Sequence, residues 1–181
     1  MNIFVAGIHG VGKTYLASRA APVAGMFHTS ASKLIKEERA LSTWTNDKRV
    51  TDVDANQRAL AAAIRRHNEL GTRLLLDGHF VLLDTTGEMI RLEVGVFAAL
   101  RLNGVILVET DTQTVAQRIE VRDQRRASLD HLQAFMEAER DQAQKVCAEL
   151  HIPLTLLDSP LPEEFSASVV RHKRPTIIEG V

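Results

Sequence analysis

A chain of 181 residues, 45% hydrophobic and 25% charged, has the length and apolar content of one globular domain and needs no metal or disulfide staple. With 22 basic and 23 acidic residues the formal charge is -1, so bulk charge gives no support to nucleic-acid binding. One cysteine, Cys147, excludes an internal disulfide framework and fits a reducing, cytoplasmic compartment; no apolar run approaches the roughly 18 residues of a membrane span, and no signal peptide is expected.

In chain order, Ile3 to Ala6, closed by Gly7, is predicted to be a buried strand. Thr14 to Ala21 reads as a helix that stops near Pro22, and Gly25 to Thr29 as a second short strand. Ser32 to Leu41 is a charged helix, followed by a polar stretch from Trp44 to Asp52. Asp54 to Leu70 carries Leu60 and Ile64 at helical spacing among alanines, with Gly71 as a natural C-cap. Leu74 to Asp77, bounded by Gly78, is the next apolar run. A loop with Thr85-Thr86-Gly87 then leads to a helix from Arg91 to Leu102. Val105 to Val108 is another buried strand, followed by a long arginine-rich helix or helix pair. Leu154 to Leu157 is the last strand, Glu163 to Arg171 a terminal helix, and the residues after Lys173 a loosely held tail. Continuous apolar strands separated by helices predict a three-layer α/β/α sandwich with a parallel sheet.

Gly7-Ile8-His9-Gly10-Val11-Gly12-Lys13-Thr14 fits the phosphate-loop pattern G-x-x-x-x-G-K-[ST] in full, between the first strand and the first helix. Glycines let the backbone turn tightly and aim its N–H groups at phosphate oxygens, and the new helix adds its positive end. Lys13 is then placed for the β- and γ-phosphates and Thr14 for Mg²⁺. The expected nucleotide contacts are Gly7, His9, Gly10, Val11, Gly12, Lys13, Thr14 and Tyr15. His9 reads more readily as a solvated loop residue than as a phosphate sensor, and Cys147 as a buried, inert thiol.

Asp77 ends an apolar strand, where a doubly wound sheet presents residues to its ligand crevice, and a carboxylate there can hold Mg²⁺. The plainer role is capping the following loop. His79 faces either the same crevice or a structural hydrogen bond. Arg118, Arg122, Arg125 and Arg126 share one face if their helix runs that far, where they would neutralise transferring phosphate oxygens or simply meet water. Arg140 falls on a stripe formed by Leu129, Leu132, Met136, Ala143, Val146 and Leu150. An arginine there must find an anion, such as a bound phosphate, or snorkel out.

Together these residues resemble the P-loop nucleoside monophosphate kinases, most closely the archaeal-type adenylate kinases. The resemblance rests on Gly7 to Thr14, on Leu74-Leu75-Leu76-Asp77-Gly78-His79, on Val108-Glu109-Thr110, and on Arg118 with its short arginine-rich lid and the later Arg140. It implies Lys13, Arg118, Arg122 and Arg140 as catalytic groups, Arg126 as a further lid contact, Asp77 as metal ligand, and Ser32, Lys36, Asp77 and His79 on the acceptor side. Residues 1–158 would form the kinase core, with 32–70 as acceptor segment and 118–128 as lid, and residues 159–181 a C-terminal helix and tail. The chain departs from that pattern at Ser32-Lys33, where the family often has Gly-Asp, and in having no arginine after His79. The expected activity is transfer of the γ-phosphoryl group of ATP, with Mg²⁺, to a small acceptor such as a nucleoside monophosphate. Two alternatives stand beside it: a P-loop regulatory module or slow ATPase that switches a partner protein, and a kinase of a non-nucleotide metabolite. The first would use Thr43 to Asp52 and the basic run Arg171-His172-Lys173-Arg174 as contact surfaces. Neither a nucleic acid nor a membrane is an expected partner.

Overall fold

The computed structural model describes residues 2–41, 53–84, 86–124 and 126–173. The polar stretch after Leu41, Arg125 and the tail after Lys173 lie outside the described residues. The elements are β1 (Asn2–Ala6), α1 (Lys13–Ala24), β2 (Phe27–Ser30), α2 (Ala31–Leu41), α3 (Val53–Glu69), β3 (Leu74–Asp77), β4 (Val81–Leu83), β5 (Met89–Arg91), α4 (Val94–Ala98), β6 (Leu102–Glu109), α5 (Thr112–Asp123), α6 (Leu129–Glu149), β7 (Leu154–Asp158) and α7 (Pro162–Lys173).

Five strands form one sheet in the order β2-β3-β1-β6-β7, every neighbouring pair parallel. Alternation of side chains along a strand sends each central strand to two cores at once. On one face Ile3, Val5, Leu75, Ile106 and Val108 pack against Leu16, Ala17 and Ala20 of α1 and Phe165 and Val169 of α7. On the other, Phe4, Leu74, Leu76, Val105 and Leu107 meet Leu34 of α2, Leu60 and Ile64 of α3, and Phe97 of α4. Helix α6 serves both, with Leu132 and Met136 in the first core and Ala143, Val146 and Cys147 in the second. The expected three-layer sandwich is therefore present. Cys147 is buried, and burial pushes its thiol up to about 11.

Phe4, Phe80 and Phe97 form an aromatic cluster on the second face of the sheet. Phe80 stacks on Phe97 at 4.4 Å, and Phe4 meets both edge-on at 5.2 and 5.6 Å. Gly78 permits this approach, since a Cβ there would lie 2.7 Å from the Phe4 ring. Asn2, fully buried, ties three segments together: its Nδ2 donates to the Leu100 carbonyl and its Oδ1 accepts from Leu74 N–H.

Four expectations need correction. Helix α1 passes through Pro22 to Ala24 rather than stopping before it. Pro22 and Ser18 face solvent, so the carbonyl that loses its N–H partner remains hydrated, and Gly25 in the left-handed region closes the end. The helix expected from Arg91 to Leu102 is only the five-residue α4, Val94–Ala98, and the stretch before it forms an antiparallel hairpin, β4 with β5. Helix α5 ends at Asp123 because Gln124 turns left-handed (φ 54°), so the arginine face does not continue to Arg126. On α6 the buried position is Glu139, one residue before the expected Arg140, and Leu129 is exposed.

Candidate active site

All the sheet's strands end on the same side, and the crevice there is where a doubly wound fold binds its ligand. Strand β1 feeds Gly7, whose φ of 134° and approach to the Val108 carbonyl exclude any side chain. The loop then opens α1 at Gly12 in the left-handed region, leaving the first N–H groups of the helix free for an anion.

A cavity of about 700 Å³ fills the crevice. At one end it is lined by the loop, Lys13, Thr14, Asp77, Arg118 and Arg122; at the other by Ser30, Ser32, Gln57 and apolar side chains including Ile35, Leu60 and Leu92. Of the expected site residues, His9, Gly10, Gly12, Lys13, Thr14, Tyr15, Ser32, Asp77, His79, Arg118 and Arg122 meet there. Val11 lies buried in the first core. Lys36 is exposed on α2 and does not line the cavity. Arg126 is almost fully exposed, 3.4 Å from Glu120. Arg140 spends its guanidinium on a two-pronged pair with Glu109, at 2.8 and 2.6 Å. Its anion in this structure is thus a protein carboxylate, which keeps the side chain at the α6 surface.

Lys13 is 6% exposed and donates to the Gly7 and Ile8 carbonyls at 2.5 and 3.1 Å. Burial lowers its ammonium to about 8, against the opposing charges of Asp77 and Glu139. Thr14 Oγ1 donates to Asp77 Oδ2 at 2.7 Å, and His28 Nε2 stands 3.6 Å from the same oxygen. Burial raises the Asp77 carboxyl, but His28, Thr14 and Lys13 together outweigh it and hold it below its usual range. A hydroxyl and a carboxylate facing each other beside a lysine form the oxygen donor set of a Mg²⁺–phosphate site. Those residues fit the metal.

The rings of His9 and His79 lie 4.3 Å apart. Burial, followed by the charges of Lys13 and His9, drives His79 to about 3, so it is neutral at physiological pH. Burial, then Lys13 and Arg122, also lower His9. Arg118 Nη1 donates to the Gly10 carbonyl at 2.9 Å, placing its guanidinium across the loop. Behind that loop, a second cavity of about 410 Å³ is bounded by Gly12, Tyr15, Thr110, Arg118 and Ser159, with the Thr110 and Ser159 hydroxyls 2.8 Å apart.

Glu139 and His28 are members of this site that the sequence reading missed. Glu139 is 1% exposed, and its two oxygens accept from Gly7, Phe80 and Val81 N–H at 2.7 to 3.1 Å. Its signal was a carboxylate four residues after Phe135 and three after Met136, both buried.

A glycine-loop-to-helix transition at the central strand of a parallel 2-3-1-6-7 sheet, with an acid at the end of the adjacent strand, defines a P-loop nucleoside-triphosphatase fold of the kinase-like type. A family model described as an AAA domain matches residues 6–135, and the chain belongs to that family. Comparison with curated proteins gives no match. Among solved structures, the chain is similar to a sugar kinase from Janibacter sp. HTCC2649, at 17% identity over 94% of this chain and 92% of that one, with a TM-score of 0.54. A gluconokinase from Sinorhizobium meliloti 1021 is similar at 17% identity over 95% and 88%, with a TM-score of 0.50. A protein from Eubacterium ventriosum ATCC 27560 gives 12% identity over 96% and 97%, with a TM-score of 0.52. At these identities the likeness is one of fold. Among the described residues no helix is long and apolar enough to cross a membrane.

Proposed function

We propose that the protein is a Mg²⁺- and ATP-dependent phosphotransferase acting on a small-molecule acceptor. The observation that carries this reading is the convergence of Lys13, the Thr14–Asp77 pair, Arg118 and Arg122 on one crevice whose far end has room for a second ligand. Lys13 would exchange the loop carbonyls for phosphate oxygens, relieving an ammonium that burial disfavours. Thr14 and Asp77 would hold Mg²⁺, which supplies charge neutralisation at the phosphates. Arg118 and Arg122 would meet negative charge developing on the transferring group, with residues 118–128 acting as a lid. The cavity behind the loop, between Tyr15, Arg118 and Ser159, suits the nucleobase of the donor.

The resemblance to nucleoside monophosphate kinases favours a monophosphate acceptor, which needs no general base because its attacking oxygen is already ionised. A second reading, transfer to a hydroxyl of a non-nucleotide metabolite, is favoured by the acceptor end itself. Ser30, Ser32 and Gln57 supply neutral hydrogen-bonding groups between apolar walls there. In that case Asp77, ionised and at the junction of the two ends, would accept the hydroxyl proton.

The deciding experiment incubates the protein with Mg·ATP and two panels, nucleoside monophosphates and polyhydroxylated metabolites, and follows ADP and phosphorylated product. Acceptor-dependent ADP release is expected in one panel. ATP hydrolysis unaffected by every acceptor would overturn the phosphotransferase reading in favour of an ATPase switch.

A further inference from the structure

The buried carboxylate of Glu139 sits at neither end of the crevice, yet it touches both segments that build it. Through Oε1 it takes the N–H of Gly7, where β1 enters the phosphate loop. Through both oxygens it takes the N–H of Phe80, and through Oε2 that of Val81, in the turn after Asp77. Gly7 precedes Lys13 by one turn of loop, and Phe80 follows Asp77 by three residues. A single side chain therefore sets the spacing between the loop that carries the lysine and the strand end that carries the acid. Every one of these partners is a donor, which is the arrangement a carboxylate anion requires.

We propose that Glu139 is a positioning residue of the nucleotide site: its carboxylate locks the start of the phosphate loop to the turn after Asp77. The inference rests on the reading of the crevice as an ATP site. Burial holds the Glu139 carboxyl above its usual range, while the Phe80, Val81 and Gly7 amides and the Lys13 charge pull it down. Beside Glu139 stand His79, with Nδ1 3.9 Å from Oε1, and Arg91 of β5, which reaches the neighbouring Ala138 carbonyl. None of these substitutes for the carboxylate, because none can accept three backbone N–H groups.

The test measures ATP affinity and melting temperature at pH 7 for the wild type, Glu139→Gln and Glu139→Asp. Glutamine keeps the volume but turns one acceptor into an NH₂ donor facing backbone N–H groups, so Glu139→Gln should lose about tenfold in ATP affinity. Glu139→Asp keeps both acceptors and should recover part of that affinity, although the shorter side chain lowers its melting temperature at least as much. Affinity that simply follows melting temperature across the three proteins would overturn the proposal, since loss of packing alone does not distinguish a carboxylate from an amide. Amide hydrogen exchange on the ligand-free wild type is the second arm and stands if Glu139→Gln fails to fold or if the wild type binds no ATP. The Gly7, Phe80 and Val81 amides should open with one common protection factor. Independent exchange of Gly7 would overturn the lock. Absence of ATP binding by the wild type, with the three amides still coupled, would instead defeat the ATP reading.

Discussion

Replacing Lys13 with methionine should make the ligand-free protein more stable while destroying its affinity for ATP. The side chain is 6% exposed, and its ammonium falls from an ordinary 10.5 to about 8 because burial outweighs the attraction of Asp77 and Glu139. At about 1.4 kcal/mol per pH unit, the folded state bears a penalty of about 3 kcal/mol for keeping that charge. Methionine has similar reach and no charge, but it leaves the Gly7 and Ile8 carbonyls without their donor, a loss of about 1–2 kcal/mol. The net expectation at pH 7 is a gain of about 1–2 kcal/mol, or a melting temperature higher by about 4 °C for a chain of this size. Urea unfolding of both proteins at pH 7 and pH 10 measures it. The sign with pH follows from linkage: below pH 8 the lysine is charged in both states and the whole penalty is present. Between pH 8 and 10.5 the folded protein gives up the proton while the unfolded chain retains it. Wild-type stability therefore rises relative to the variant, and the gap closes. A methionine variant less stable than wild type at pH 7, or a gap equal at the two pH values, would refute the reasoning.

Arg140→Ala should leave turnover within about twofold of wild type, because the guanidinium pairs with Glu109 at the α6 surface and does not line the crevice, and should cost at most about 1 kcal/mol of stability. Steady-state kinetics beside a melting curve checks it, and a turnover loss of about tenfold or more would place the arginine in the site. Phe97→Ala removes one ring of the buried cluster with Phe4 and Phe80 and should cost about 3–5 kcal/mol, read from the urea midpoint.

The phosphate loop and the Asp77 strand end were legible because their signals are local: a contiguous motif, and an apolar run closed by a carboxylate. The β4–β5 hairpin was not. Each strand has three residues, too few to display a period of two, so a turn with left-handed Gly87 and Asp84 accepting from Thr86 and Glu88 reads in sequence as a plain loop. The end of α5 was also invisible, because Gln124 adopts the left-handed region without the glycine that usually announces it. Glu139 escaped for another reason. Its partner Gly7 lies 132 residues away, and only the folded chain shows whether a charge on an apolar stripe turns inward or leans out to water. Arg140, its neighbour, leans out.

The position of β1 also bears on the order in which the protein assembles. The strand is central, its residues paired with Leu75–Asp77 on one side and with Gly104–Leu107 on the other. Neither edge of β1 can be satisfied by chain that is close in sequence, so loop-closure entropy must be met before the strand gains any ladder. The nucleotide loop hangs from the end of that strand and is fastened from behind by α6, which is later still. The segment with the most recognisable sequence accordingly takes its supports from β3, β6 and α6, all remote from it along the chain.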